Sequence, residues 1–249
     1  TKLNKFYFIE CIDSQESSQT NGFALYNDTV IKLKIVDKSI ETEYFEFKTK
    51  EEFLNILDYI HEKDINKNNI LIHIYTHGSS NHDGLLDDDK KLISWEEVLN
   101  KSRKINVKSE NGLYLILALC HGKYIGEKID IKQKAPFNSL IASNHEELVS
   151  DIYNLFQKFY NNLVFDNDII KAFIDAQSDG DKFYYKNTNK CVQDAFKSLL
   201  EKRELLLPDL YKDFLETTGQ KISFQEFDNI NKTTLSELIK KMEEQFFIK

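Results

Sequence analysis

The fold is decided by the stretch LYLILALCHG at positions 113–122. Seven uncharged, mostly apolar residues run into Cys120, with the turn signal Asn111-Gly112 in front and Gly122 behind. Periodicity alone leaves such a run ambiguous, but the flanking turns favour a strand that is buried on both faces. Strands of that kind belong to parallel sheets, where functional groups gather at the carboxyl ends of the strands. Cys120 lies at such an end.

A second apolar strand is predicted to end at a histidine, as the first ends at a cysteine. The β-branched and apolar run from Ile70 to Thr76 ends at His77 and Gly78. If the two strands are parallel neighbours, a thiol and an imidazole lie at the same edge of the sheet. Nucleophilic cysteine catalysis needs that pair, because an adjacent base or cation must generate or stabilise the thiolate.

Capping boxes mark two helices that would cover the sheet. Thr49 with Glu52, and Ser94 with Glu97, have the spacing of this motif and precede amphipathic stretches. A strand, such a helix and another strand imply a right-handed crossover and parallel pairing. The other β-structure that the pattern predicts is a strand at 6–12, a strand at 137–142, a short β excursion at 85–86, and a hairpin of 23–26 with 30–36 around Asn27-Asp28.

The C-terminal half is predominantly helical by its apolar spacing. Ser143 with Glu146 predicts a capping box that opens a long helix, and Thr234 with Glu237 predicts another. Further helices are predicted around 169–174, 191–203 and 210–217. We expect one α/β domain at 1–180 and a helical C-terminal extension at 181–249 packed on the same domain.

Composition excludes several classes of function. The formal charge of −8 argues against direct nucleic-acid binding, which favours a basic surface. No apolar stretch approaches the roughly 20 residues of a membrane span, and no signal peptide opens the chain. The three cysteines, Cys11, Cys120 and Cys191, are odd in number and scattered, which favours a reducing, cytoplasmic location. No cofactor and no metal are expected.

In order along the chain, several stretches resemble the caspase-like cysteine peptidases, and among them the bacterial CHAT group, whose members often accompany TPR repeats. The histidine of caspases lies about 50 residues upstream of the cysteine, as it does approximately here. The resemblance covers residues 1–180, and its most specific pieces are IHIYTHGS at 72–79, DGLL at 83–86, ISWEEVL at 93–99 and LILALC at 115–120.

This resemblance implies a caspase-hemoglobinase fold, in which a mainly parallel six-stranded sheet lies between helices. It also implies hydrolysis of a peptide bond in a protein or peptide substrate by a Cys-His dyad. Cys120 would be the nucleophile and His77 the general acid and base, while the backbone N–H groups of Gly78 and Cys120 would stabilise the oxyanion. A regulatory protein partner and a role in defence or programmed cell death are implied by the same analogy.

Two residues bear on substrate specificity. CHAT sequences commonly have Asp two residues before the cysteine, in the S1 pocket, where this chain has Ala118. Asp13 falls where related peptidases often place an S1 carboxylate. Asp13 in the pocket would select Lys or Arg at P1, whereas Ala118 in place of the carboxylate is equally compatible with an apolar P1 residue. The S1 preference therefore stays open.

Other interpretations compete with these assignments. The fold could serve as a catalytically silent interaction module, with Cys120 a small buried hydrophobe. His121 and His73 are predicted to be structural, and a zinc site that joins His73 to His77 is excluded because four strand residues separate them by about 13 Å. Asp87-Asp88-Asp89 could attract calcium but lacks EF-hand spacing. An esterase is disfavoured by the missing G-x-S-x-G motif. The loop at 123–136 is predicted to be mobile.

Overall fold

The structure is a computed structural model that describes residues 2–11, 22–143, 145–146, 149–177 and 183–248. The strands are β1 (Lys5–Glu10), β2 (Glu41–Glu46), β3 (Ile70–Tyr75), β4 (Gly84–Leu86), β5 (Leu92–Ser94), β6 (Leu113–Ala118), β7 (Ser139–Ser143) and β8 (Phe183–Asn187). The α-helices are α1 (Gly22–Val36), α2 (Lys50–Glu62), α3 (Trp95–Lys108), α4 (Val149–Asp166), α5 (Ile169–Ala176), α6 (Thr188–Thr218) and α7 (Phe224–Phe246). A 3₁₀ helix spans Gly122–Lys128.

Six strands form one sheet in the order β2-β1-β3-β6-β7-β8. All neighbours pair in parallel except β8, which runs antiparallel to β7. The central strands β1, β3 and β6 are almost completely buried, as expected for parallel strands covered on both faces. The predicted mainly parallel six-stranded sheet is therefore confirmed, and β4 and β5 form a separate two-stranded hairpin.

Helices cover both faces of the sheet. On one face, the apolar sides of α2 and α3 pack against alternate residues of the central strands. On the other face, α1, α4 and α5 pack against the intervening residues, in a cluster rich in aromatic side chains. Both predicted capping boxes, Thr49 with Glu52 and Ser94 with Glu97, open their helices as expected. The result is a three-layer α/β architecture.

The hairpin predicted for residues 23–36 is wrong, since this segment forms α1. Its buried residues are Gly22, Leu25, Tyr26, Thr29 and Leu33, and they follow the spacing of a helix face. The β-branched residues and Asn27-Asp28 suggested strands and a turn, but packing against the sheet outweighs local propensity. The edge strand beside β1 is β2, a polar strand that was not predicted from the sequence.

Two other predicted capping boxes are also wrong. Ser143 is the last residue of β7, and its hydroxyl bonds the backbone of His145 instead of a helix N-terminus. Thr234 lies in the interior of α7, which is opened by a true capping box of Ser223 with Glu226. The two helices predicted at 191–203 and 210–217 form one helix, α6, which continues through Pro208.

The chain divides into two compact units. The first comprises residues 1–129, 135–187 and 248–249, and the second comprises 130–134 and 188–247. The strand β8 pairs with β7 in the sheet, and the domain bounds of 1–180 and 181–249 stay a prediction. The packing predicted between the helical extension and the peptidase domain stays a prediction.

Within the second unit, α6 and α7 are joined by a buried polar contact. The guanidinium of Arg203 pairs with Asp228 and donates a hydrogen bond to the Asn231 side chain at 2.8 Å. Lys134 donates to the backbone carbonyls of Glu244 and Phe247 at the end of α7. None of the described helices combines the length and apolar character needed to cross a membrane.

Candidate active site

The sheet register aligns the ends of the two strands that precede His77 and Cys120. In the parallel pair of β3 and β6, Ile70 is opposite Leu113 and Tyr75 is opposite Ala118. Continued two residues past the strand ends, the same offset would match position 77 with position 120. The two residues nominated from the sequence therefore follow directly from the ends of adjacent strands, at the edge where parallel sheets carry functional groups.

Gly78 lies very close to the backbone of Cys120. A Cβ atom placed on Gly78 would lie 1.9 Å from the carbonyl oxygen of Cys120 and 3.2 Å from a methyl carbon of Leu119. No side chain fits at such a distance, so this position requires glycine because of the close backbone approach. The contact joins the residue after His77 to the backbone of Cys120 itself.

The segment after His77 is held by a short antiparallel bridge between Gly78 and Leu85. The N–H of Leu86 donates to the His77 carbonyl at 2.9 Å, and the N–H of Ser79 donates to the Gly84 carbonyl at 3.0 Å. These two bonds flank Gly78 and do not use its own N–H group. The β excursion predicted at Leu85-Leu86 is confirmed as β4, and it fixes the backbone on either side of Gly78.

The three cysteines, all of them thiols, lie in very different surroundings. Cys120 is partly exposed and Cys191 is exposed. Cys11 is buried, and desolvation raises the pKa of its thiol to about 11, although a hydrogen bond with Thr76 acts in the opposite direction. A thiol with so high a pKa carries little thiolate at neutral pH, so Cys11 is poorly suited to be a nucleophile.

Of the two proposed specificity residues, the structure describes only Ala118. Asp13 lies outside the described residues. Ala118 is fully buried, and it packs in the cluster beneath α1 and α4. Its side chain therefore offers no surface to a ligand in this structure, and its assignment to the S1 pocket gains no support.

His73 is a core residue, as predicted. Its ring is completely buried, stacks on Phe8 with centroids 4.3 Å apart, and forms a 2.6 Å hydrogen bond between Nδ1 and the Tyr160 hydroxyl. Desolvation lowers the pKa of this imidazole to about 3. His73 is thus a neutral packing residue on the face opposite α2 and α3.

A group of rings beside Cys120 was not expected from the sequence. His121 follows the cysteine with a positive φ of 61°, and its ring centroid lies 4.2 Å from that of His82. His82 in turn stacks on Tyr124 at 4.2 Å with nearly parallel planes. His121 was predicted to be structural. Its contact with His82, in a loop far upstream, is not indicated by any sequence spacing. The repeated His and Tyr residues near both strand ends are the only signal that could have suggested the group.

The acidic turn at 87–89 has a structural explanation. Asp87 is buried, and its carboxylate accepts hydrogen bonds from the backbone N–H groups of Lys50 at 3.0 Å and Lys91 at 2.8 Å. The carboxylate that could attract calcium is therefore already used to join the β4–β5 turn to the start of α2. In the part of the chain that the structure describes, no group of three or more His, Cys, Asp or Glu residues suits a metal ion.

No protein-family model matches the sequence, and neither does any curated protein. Among solved structures, the chain is similar to caspase-1 from Spodoptera frugiperda, with a TM-score of 0.49 and 13% identity over 75% of this chain and 86% of that one. It is similar to drICE with a TM-score of 0.49 and 14% identity over 75% of this chain and 88% of that one. At these identities the likeness concerns the fold, and the site depends on the register and contacts described above.

Proposed function

We propose that this chain is a caspase-like cysteine endopeptidase with Cys120 as nucleophile and His77 as general acid and base. The observation that carries the proposal is the close approach of Gly78 to the Cys120 carbonyl, just beyond the parallel pairing of β3 with β6. A thiol and an imidazole on adjacent strand ends form the minimum machinery of nucleophilic cysteine catalysis. Cys120 is also accessible enough to meet a substrate.

The reaction would proceed in two steps. The Cys120 thiol passes its proton to His77 and its sulfur bonds to the scissile carbonyl carbon, the C–N bond breaks, and the leaving amine takes that proton from the His77 imidazolium. Water then attacks the thioester while His77 accepts its proton, which releases the carboxylic acid and restores the thiol. The N–H groups of Gly78 and Cys120 would stabilise the oxyanion formed in each step.

The finer assignments rest on the resemblance to the CHAT group. They are cleavage of one partner protein, control by a regulatory protein partner, a cytoplasmic location and a role in bacterial defence or cell death. The S1 pocket would be selective for Lys or Arg if Asp13 faces it, and for an apolar residue otherwise. These assignments are made by analogy, and one fold can carry more than one function.

A peptide library derived from a whole-proteome digest would test the activity. Wild-type protein is expected to cut a subset of peptides at one preferred P1 residue, as read by mass spectrometry. Cys120→Ala and His77→Ala are expected to abolish these cuts, whereas Cys191→Ala, a matched change at an exposed thiol, should leave them unchanged. Cleavage that survives in Cys120→Ala would overturn the proposal. A wild type that cuts nothing while folded would favour the interaction module.

A further inference from the structure

The two segments that would carry the dyad are connected by contacts among three rings. His82 lies in the segment after His77, while His121 and Tyr124 lie in the segment after Cys120. The His82 ring contacts both partners, with centroids 4.2 Å from each, whereas His121 and Tyr124 are 6.2 Å apart. The His82 ring therefore contacts both rings of the other segment and lies at the corner of a triangle of three rings. We call these three residues the ring clamp.

The backbone of His82 is held by a hydrogen bond from the first residue of α3. Its carbonyl accepts a 2.8 Å hydrogen bond from the indole N–H of Trp95, a side chain that is 1% exposed. Its N–H donates to the Ser79 carbonyl at 3.0 Å, and the backbone adopts a positive φ of 62°. The direction of the imidazole is thus set by a buried residue of the core and a tight turn.

His121 is held mainly by packing. Its N–H donates to the His145 carbonyl at 3.2 Å, and Nε2 lies 4.0 Å from the Glu146 carboxylate. Its Nδ1 atom is buried and has no hydrogen-bond partner among the described residues. A side chain that leaves a polar atom unsatisfied is retained there at a cost, which the ring contacts must offset.

We propose that the ring clamp is a positioning device for the dyad, with His82 as its central residue. This inference rests on the proposed peptidase function. The clamp connects the segment that follows His77 to the residue that follows Cys120, so it limits how far the two strand ends can separate. Because small misplacements of reacting groups slow enzymes strongly, loss of the clamp would slow attack by Cys120.

The test compares three full-length variants with wild type. His82→Ala removes the central ring, His82→Phe keeps a flat ring without a titratable nitrogen, and His61→Ala changes a histidine on α2, away from the clamp. The rate of Cys120 modification by a peptidyl acyloxymethyl ketone is measured for each. We expect His82→Ala to lower this rate about ten- to a hundredfold, and His82→Phe to restore most of it. His61→Ala should behave like wild type.

Hydrogen exchange supplies a readout that does not depend on activity. We expect His82→Ala to speed exchange in both 79–86 and 121–128, with β1 and β3 unchanged, and His82→Phe to restore protection in both. Faster exchange confined to 79–86 would overturn the clamp. Exchange that rises in both segments without any change in the modification rate would overturn its positioning role. A wild type that is never modified would contradict the peptidase function, and the clamp would then be judged by exchange alone.

Discussion

At the scale of single residues, the decisive feature is the contact between Gly78 and the backbone of Cys120. We expect Gly78→Ala to destabilise the fold by about 2 kcal/mol or more, because the new methyl would meet a carbonyl oxygen that cannot move aside. It should also abolish modification of Cys120 by a peptidyl ketone. Thermal unfolding and the modification rate measure the two effects.

Gly126→Ala is the matched control for this change. A Cβ atom at Gly126, in the 3₁₀ helix that follows Cys120, would meet nothing within 4 Å. We expect this variant to unfold within about 0.5 kcal/mol of wild type. Equal stabilities of Gly78→Ala and Gly126→Ala would contradict the close approach of Gly78 to the Cys120 backbone.

The buried pair of His73 and Tyr160 predicts a pH dependence of stability. Burial lowers the pKa of His73 from 6.5 to about 3, so between these values the unfolded chain binds a proton that the folded chain does not. This contribution to stability is complete above pH 6.5 and is lost as the pH falls. We expect the protein to lose about 2 kcal/mol of its free energy of unfolding through His73 between pH 7.5 and pH 5.

The double variant His73→Leu with Tyr160→Phe tests this linkage. It removes both partners of the 2.6 Å hydrogen bond, so no buried polar atom is left without its partner. Urea unfolding of both proteins at pH 7.5 and pH 5 should show a smaller loss of stability in the variant. An equal loss in the two proteins would show that His73 does not titrate as expected.

Residues at strand ends could be predicted from the sequence, and residues in loop contacts could not. Cys120 and His77 could be nominated because a buried apolar run predicts where its strand ends, and parallel strands align those ends. His82 and Tyr124 were missed because their contact depends on two loop conformations with positive φ values, which no local pattern indicates. Ala118 was assigned to a pocket by analogy, whereas its side chain is buried in the hydrophobic core.

At the scale of elements, Asp87 joins the β4–β5 hairpin to α2. We expect Asp87→Ala to cost about 2 kcal/mol, because two partly buried backbone N–H groups lose a charged, buried acceptor. Asp89→Ala changes the same turn at an exposed ion pair with Lys91 and should cost less than about 0.5 kcal/mol. Chemical unfolding of the two variants measures the difference, and equal stabilities would refute the role of Asp87.

The helix α1 and the strand β2 show where element prediction fails. The buried positions of α1 follow a helical face, but β-branched residues and an Asn-Asp pair imitate a hairpin. Its start is set by a tertiary contact, because the buried Glu10 carboxylate accepts the Gly22 N–H at 3.0 Å and the Tyr44 hydroxyl at 2.7 Å. The strand β2 is polar and lies at the sheet edge, so it carries little hydrophobic signal.

At the scale of the whole molecule, the division into two units predicts separate local stability. Arg203 is buried in the second unit, where it pairs with Asp228. We expect Arg203→Met to destabilise α6 and α7 by roughly 1–2 kcal/mol, because the partly exposed Asp228 and the Asn231 side chain lose their partner. Hydrogen exchange should therefore speed up in 188–247 while the amides of β3 and β6 stay protected.

Lys197→Met provides the control for this prediction, because Lys197 forms an exposed pair with Glu201 on α6. It should leave exchange in both units unchanged. If Arg203→Met raised exchange in the sheet as much as in the two helices, the chain would unfold as one cooperative unit, contrary to the division.

The central claim is that Cys120 is a nucleophile activated by His77. The most direct measurement treats the protein with a peptidyl acyloxymethyl ketone library and locates the adduct by peptide mass mapping. We predict a single adduct on Cys120, lost in Cys120→Ala and formed at least about a hundredfold more slowly in His77→Ala. An adduct on Cys191, or one on Cys120 that forms equally fast without His77, would contradict the account.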